Sequence, residues 1–259
     1  MDLGLRGHTA FVSAASQGLG RGTALAFARE GCHVGLCARD DEALSSVAAE
    51  VTDAGVRAIP SVADVTDAAA VGAAIEATLA ATGRLDALVV NGGGPPPGTF
   101  DDASDEAWHD GFELLVMGAV NLVRAALPAL RRSESASIVF FASTSVKQPI
   151  PNLMLSNSLR SAVSGLAKSL AMELAPGIRV NSILTGRIRT ARTEALARHG
   201  NPAGDVEETI ARQARAIPLL RYGTVEEFAN VAVFLSSPAA GYVTAAALPV
   251  DGGVIQAVL

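Results

Sequence analysis

A doubly wound α/β domain, with seven parallel strands between two layers of helices, is the fold the sequence predicts. Short apolar runs alternate with longer amphipathic stretches almost to the end of the 259 residues. A glycine-rich turn separates the first apolar run from the first helical stretch. No linker-like break divides the chain, so residues 1–259 read as one domain with an ample core.

The elements follow in order. His8 to Ser13 reads as a buried strand, and Leu19 to Glu30 as a helix stopped by Gly31. His33 to Cys37 is the second strand, followed by a helix over Glu42 to Asp53. Arg57 to Val62 makes the third strand, then Ala68 to Ala81 a helix closed by Gly83. Leu85 to Val90 is the fourth strand, and Trp108 to Leu130 one long helix with Pro128 in its last turn. Ile138 to Ala142, Ile178 to Leu184 and Ala247 to Val250 complete the strands, with helices over Met154 to Leu174 and Val225 to Leu235. Strands joined by helical crossovers imply a parallel sheet covered on both faces.

One stretch breaks the rhythm. Arg187 to Arg221 is polar, with Gly200, Pro202 and Gly204 in its middle. It exceeds the roughly 12–15 residues beyond which a loop in a compact domain is usually functional or disordered. Following a strand end, where such sheets bind ligands, it reads as a helical lid over a substrate pocket.

Composition narrows the classes. Apolar residues make up 49% and charged residues 18%, which excludes a disordered chain. The net charge of −6 argues against nucleic acid, whose phosphates need a basic face. No apolar run is long enough to span a bilayer, and the start lacks a basic and apolar leader, so a soluble cytoplasmic protein is expected. Cys32 and Cys37 should face opposite sides of the second strand, which disfavours a disulfide. The histidines are scattered, and no metal site is expected.

The chemistry begins at Ser13-Ala14-Ala15-Ser16-Gln17-Gly18-Leu19-Gly20, between strand and helix. Glycines there let the backbone approach a pyrophosphate, whose charge meets the helix N-terminus. Further along stand Asp64-Val65, Asn91-Gly92-Gly93-Gly94, Arg179-Val180-Asn181-Ser182 with Thr185-Gly186, and Val250-Asp251-Gly252-Gly253. This series resembles the short-chain dehydrogenase/reductase family over essentially the whole chain, most of all its 3-oxoacyl-carrier-protein reductases. The loop is similar to the family's Thr-Gly-x-x-x-Gly-x-Gly, with Ser13 for the threonine and Ala14 for the first glycine.

The resemblance implies a Rossmann fold and a nicotinamide cofactor held by Ser13, Ala15, Ser16, Gln17, Gly18, Leu19 and Gly20. Asp64 and Val65 would meet the adenine, Asn91, Gly92 and Gly93 would line the cofactor, and Gly186, Ile188 and Thr190 would hold the nicotinamide end. Ala14 adds a methyl group where the family keeps none, which would leave the loop slightly open unless its φ stays negative, where alanine is tolerated. The second strand ends Cys37-Ala38-Arg39: no acid stands where NAD's ribose is usually bound, and Arg39 suits a 2′-phosphate. NADP(H) is therefore expected over NAD(H).

The family's catalytic residues are mostly replaced. Its serine is Ser143, but thirteen residues on, where the family has tyrosine, stands Ser156. Four further, where it has lysine, stands Arg160, which keeps the charge and a grip on the ribose. The asparagine of the preceding helix falls on Leu115, and Asn121 is out of phase with it. Serine is too weak an acid to be tuned as tyrosine is. Lys147, in the loop beyond Ser143, is a candidate replacement acid; Tyr222 and His199 are weaker ones.

The expected function is thus an NADP(H)-dependent oxidoreductase acting on a carbonyl, hydroxyl or acyl-thioester substrate. Seven arginines of the lid, among them Arg187, Arg189, Arg192 and Arg221, outnumber its acids and favour an anionic one. The alternatives are a non-redox enzyme (isomerase, cyclase or lyase) on the same scaffold, or an NADPH-binding pseudoenzyme. The resemblance also implies a homotetramer or homodimer, packed through the Trp108–Leu130 and Met154–Leu174 helices, with the apolar tail Val254 to Leu259 as a further contact.

Overall fold

The computed structural model describes residues 2–201 and 204–258. Met1, Ala203, Pro202 of the polar stretch and Leu259 of the tail lie outside the described residues. Seven strands, β1 (Thr9–Ser13), β2 (His33–Ala38), β3 (Ala58–Val62), β4 (Ala87–Val90), β5 (Ser137–Ser143), β6 (Arg179–Thr185) and β7 (Ala247–Val250), form one sheet. Its order is β3-β2-β1-β4-β5-β6-β7, parallel throughout. Pro60, which cannot donate to a ladder, sits in the edge strand β3.

Helices α1 (Gly18–Arg29) and α2 (Asp41–Asp53) pack on one face with α9 (Val225–Ser236). On the other lie α3 (Ala68–Thr82), α5 (Gly118–Leu130) and α6 (Met154–Glu173). Because both faces are covered, central strands such as β1 are buried at every residue, hence their unbroken apolar runs. Cys32 and Cys37 are free and pack in opposite layers, where burial pushes their thiols up to about 12 and about 11.

The long helix differs from its expected form. It begins earlier, with α4 (Asp105–Phe112), and a π-helical turn over Glu113–Met117 separates α4 from α5. The turn runs through a continuous helical stretch with no glycine or proline of its own to mark it. The whole Asp105–Leu130 span is long and apolar enough to cross a membrane by length and composition, yet half of its most apolar window is buried against the sheet and α3.

The polar 187–221 stretch forms α7 (Ala191–Gly200) and α8 (Val206–Ala214), which share a small apolar cluster with Ile217 and Tyr222. Its ends are closed on each other: Arg189 N donates to Gly223 O at 2.9 Å and Gly223 N to Arg187 O at 3.0 Å.

The strand order reverses direction at β1 and β4, and this junction is pinned at both ends. At the lower end Asp86 accepts from Thr9 N (2.9 Å), Ser133 Oγ (2.6 Å) and the Arg84 guanidinium (2.7 and 2.9 Å). At the upper end Ser13 Oγ donates to Asn91 O at 2.6 Å and accepts from Asn91 N at 2.9 Å. The crevice opens above this upper clamp, where open α/β sheets bind ligands.

Candidate active site

The glycine loop leaves β1 with Ala15 N donating to Cys37 O at 3.0 Å, and Asn91 Nδ2 donates to Ser13 O at 3.2 Å. Gly20 has no room for a side chain, since a Cβ there would lie 2.1 Å from Ala14 O. Ala14 does not keep a negative φ: its φ is +48°, a left-handed conformation that costs an L-residue roughly 1–2 kcal/mol. The tight return of the loop onto Gly20 imposes it, which is why glycine suits this position. Ala14→Gly should stabilise the protein by about 0.5–1 kcal/mol in urea unfolding, since glycine's greater unfolded entropy offsets part of the relief.

Ser16 and Gln17 form the rim, and Gln17 provides no side-chain cap to α1, nor does any acid occupy its first turn. Apart from α6, which also starts without a side-chain cap, and α5, which continues from the π turn, the other α-helices are each capped by an Asp, Ser or Thr. The first N–H groups of α1, at Gly18, Leu19 and Gly20, thus have no capping side chain, and their dipole favours an anion. A pyrophosphate fits this cradle.

Arg39 is 77% exposed beside the crevice, 3.5 Å from Asp64 Oδ2. Burial raises the Asp64 carboxyl, but Thr66 donors and Arg39 outweigh it and hold it below the usual carboxylate range. Asp40 caps α2 by accepting from Ala43 N at 3.0 Å, so it faces the helix. Val65 is buried, and its carbonyl accepts from Asn121 Nδ2 at 3.0 Å. Asn121 is therefore engaged by the Val65–Thr66 loop.

Ser143 ends β5, and its Oγ accepts from Ser145 N at 3.1 Å, leaving its own proton to donate. α6 packs along β5 and carries Ser156 and Arg160 one turn apart, on one face. Arg160 donates to Phe141 O at 3.1 Å and to Gly93 O at 3.3 Å, bridging the ends of β5 and β4. Leu115 is buried in the π turn, beside a cavity of about 20 Å³ that Asn91, Gly92 and Arg160 also line. That is room for about one water molecule.

The structure does not gather every candidate. Lys147 is exposed and its ammonium has no hydrogen-bond partner among the described residues. Tyr222 is sealed inside the lid cluster, its hydroxyl donating to Gln213 and accepting from Arg187 Nη1 at 3.3 Å. His199 is exposed. Gly186 leaves no space for a Cβ against Asp251, Ile188 is buried, and Thr190 caps α7 while its methyl faces the Gly18 position. The 187–221 segment thereby begins directly over the glycine loop.

The loop Asn91 to Gly98, whose three prolines already mark it in the sequence as a stiff pocket wall, is held by backbone contacts, while one contributor, Arg192, escaped the sequence reading. Gly98 N donates to Asn152 O at 2.7 Å and Met154 N to Gly98 O at 3.2 Å, fixing the proline loop as a wall against the start of α6. Arg192, counted only among the lid charges, donates to Pro95 O of that wall at 2.7 Å. Its place two residues after Thr190 was the available signal, but sequence alone gave no contact 97 residues away.

Comparison with known proteins agrees with this arrangement. Residues 13–255 match the family model described as enoyl-(acyl carrier protein) reductase. The oxidoreductase UcpA of Salmonella typhimurium is 37% identical over 251 residues, 96% of this chain and 95% of UcpA. L-sorbose reductase from Gluconobacter frateurii, solved with NADPH and L-sorbose, superposes with a TM-score of 0.94 at 34% identity, covering 100% of both chains. An NADPH-bound short chain oxidoreductase from Pseudomonas aeruginosa PAO1, described as containing an atypical catalytic center, gives 0.90 at 33% identity, covering 98% of this chain and 99% of that one. The glycine loop, the β1–β4 crevice and these matches together place the chain in the short-chain dehydrogenase/reductase family.

Proposed function

We propose that this protein is an NADP(H)-dependent oxidoreductase that interconverts a carbonyl and a hydroxyl through a remodelled catalytic centre. The observation that carries this reading is the uncapped start of α1 above the Ser13–Asn91 clamp, with Arg39 beside it. Similarity to NADPH-bound reductases supports the choice of cofactor. The bound nicotinamide supplies or accepts the hydride.

The chain's own groups do the rest. Ser143, with its oxygen fixed by Ser145 N–H, donates a hydrogen bond to the substrate oxygen. Arg160 keeps a cation beneath the crevice, grips ribose hydroxyls and stabilises negative charge developing on that oxygen. Ser156 orients the substrate or a water but is too weak an acid to replace a tuned tyrosine. Water delivers the proton. The 187–221 segment, its base closed at Gly223, acts as the substrate lid. The substrate is of the 3-oxoacyl kind in the broad sense of a ketone, or the matching alcohol, one carbon removed from an acyl group. Exposed Phe112 and Met172, on α4 and α6, suit a dimer or tetramer packed through these helices.

Titration with NADPH and NADH, followed by nicotinamide fluorescence, tests the reading. NADPH should bind the more tightly, and Arg39→Ala should weaken it about 10-fold or more while leaving NADH nearly unchanged, as loss of a charge-assisted phosphate contact predicts. Binding of neither nucleotide would refute the assignment and favour a non-redox enzyme.

A further inference from the structure

The arginines of the lid segment are not equivalent. Arg189 pairs with Glu194 and Glu207, and Arg221 with Glu227. Arg187 is held by Gln213 and Tyr222. Arg192 instead crosses to the proline loop and lies against Gly94, where a Cβ would be 3.0 Å from its Nη2 and 3.3 Å from its Cζ. It donates to Pro95 O, while Arg160 reaches the same strip from α6 and donates to Gly93 O. Two residues of chain span at most about 7 Å, so two guanidiniums converge on one short stretch of wall. Neither is within ion-pair distance of a carboxylate among the described residues. Burial, and then the Arg192 charge, pull Arg160 down to about 10. Such a pair of like charges is stabilised when an anion reaches it, and each guanidinium retains N–H groups to offer one.

We propose that Arg192 and Arg160 form a carboxylate-binding subsite, so that the substrate is an oxo acid or its hydroxy acid and not a neutral ketone. This rests on the oxidoreductase reading above and names its substrate class. The planar forks match a planar carboxylate, and Arg192 anchors it from the lid side while Arg160 faces the reacting oxygen. Nucleotide phosphates have their own place at α1 and Arg39, so they do not satisfy this pair.

The test uses the full chain saturated with NADP+, which cannot reduce a ketone, so binding is read without turnover. Calorimetry is run with pyruvate, acetoacetate and 3-oxohexanoate, each beside its methyl ester. At least one acid should bind about 10-fold or more tighter than its ester, as charge-assisted hydrogen bonds predict. Arg192→Leu should abolish that preference, Arg192→Lys should restore part of it, and both should keep the wild-type affinity for NADP+. Arg198→Leu, on the exposed side of α7, should behave as wild type. The proposal fails if no acid is preferred to its ester, if Arg192→Leu retains the preference, or if dihydroxyacetone phosphate binds tighter than every acid. Should NADP+ itself not bind, the cofactor reading falls, and the same acid–ester comparison on the chain without nucleotide decides the subsite.

Discussion

The triple variant Leu115→Asn, Ser156→Tyr, Arg160→Lys should reduce carbonyls with NADPH about 100-fold or more faster than the wild type. A general acid contributes typically about 10²–10⁴ in rate, and the wild-type site has only serine at that position. Ser156→Tyr places a phenol one turn before residue 160, where a lysine ammonium lowers its pKa from about 10. Leu115→Asn puts an amide into the π turn beside the 20 Å³ cavity, which holds space for a proton-relaying water. Burying that amide costs about 1–3 kcal/mol unless it finds partners, so the variant should also melt at lower temperature. The measurement is kcat against pH over a panel of oxo acids. The variant should gain a limb from tyrosine ionisation that the wild type lacks. A variant that binds NADPH and reduces nothing would show that the pocket does not present a carbonyl to residue 156.

Asp86→Ala should destabilise the fold by about 3–5 kcal/mol, the range for stripping one partner from a buried charge network. The residue is 2% exposed and holds Thr9 N, Ser133 Oγ and Arg84 at the foot of the β1–β4 junction. Burial raises its carboxyl, but Arg84, Ser133 and Thr9 outweigh it and set the pKa below the ordinary value of 3.8. With the folded pKa depressed, the contribution is fully present above the unfolded pKa. It is lost as pH falls through the lower folded pKa. Urea unfolding from neutral to acid pH should therefore show wild-type stability declining at the acid end, with a shallower decline in Asp86→Ala. Equal stability of the two proteins at neutral pH would remove this clamp from the account of the crevice.

Much of this molecule was legible before its structure. Continuous apolar runs such as Ala10–Val12 announced strands buried on both faces, and β7 begins and ends at the expected residues. Ala68 and Gly83 marked the two ends of α3 in the sequence, and the structure adds Asp67 as the side-chain cap of its first turn. The spacing from Ser143 to Ser156 and Arg160, set against the family pattern the sequence resembles, gave the expected altered positions, and the structure carries the last two one turn apart on α6.

What the tertiary structure decided depends on groups distant in sequence. Ala14 has a left-handed φ because Gly20 and Asn91 close the loop on it. Arg39, read as a phosphate ligand, shares its charge with Asp64 across the ends of neighbouring strands. Tyr222, a weak candidate acid in the sequence, is taken up by Gln213 and the small apolar cluster it forms with Ala197, Ile210, Ala214 and Ile217. Arg192 is one arginine among several until folding lays it on Gly94. Local pattern specifies dihedral angles and burial period, so strands, helices and loops can be read from it. A long side chain's partner is chosen by competition among donors and acceptors that only the packed chain brings within reach.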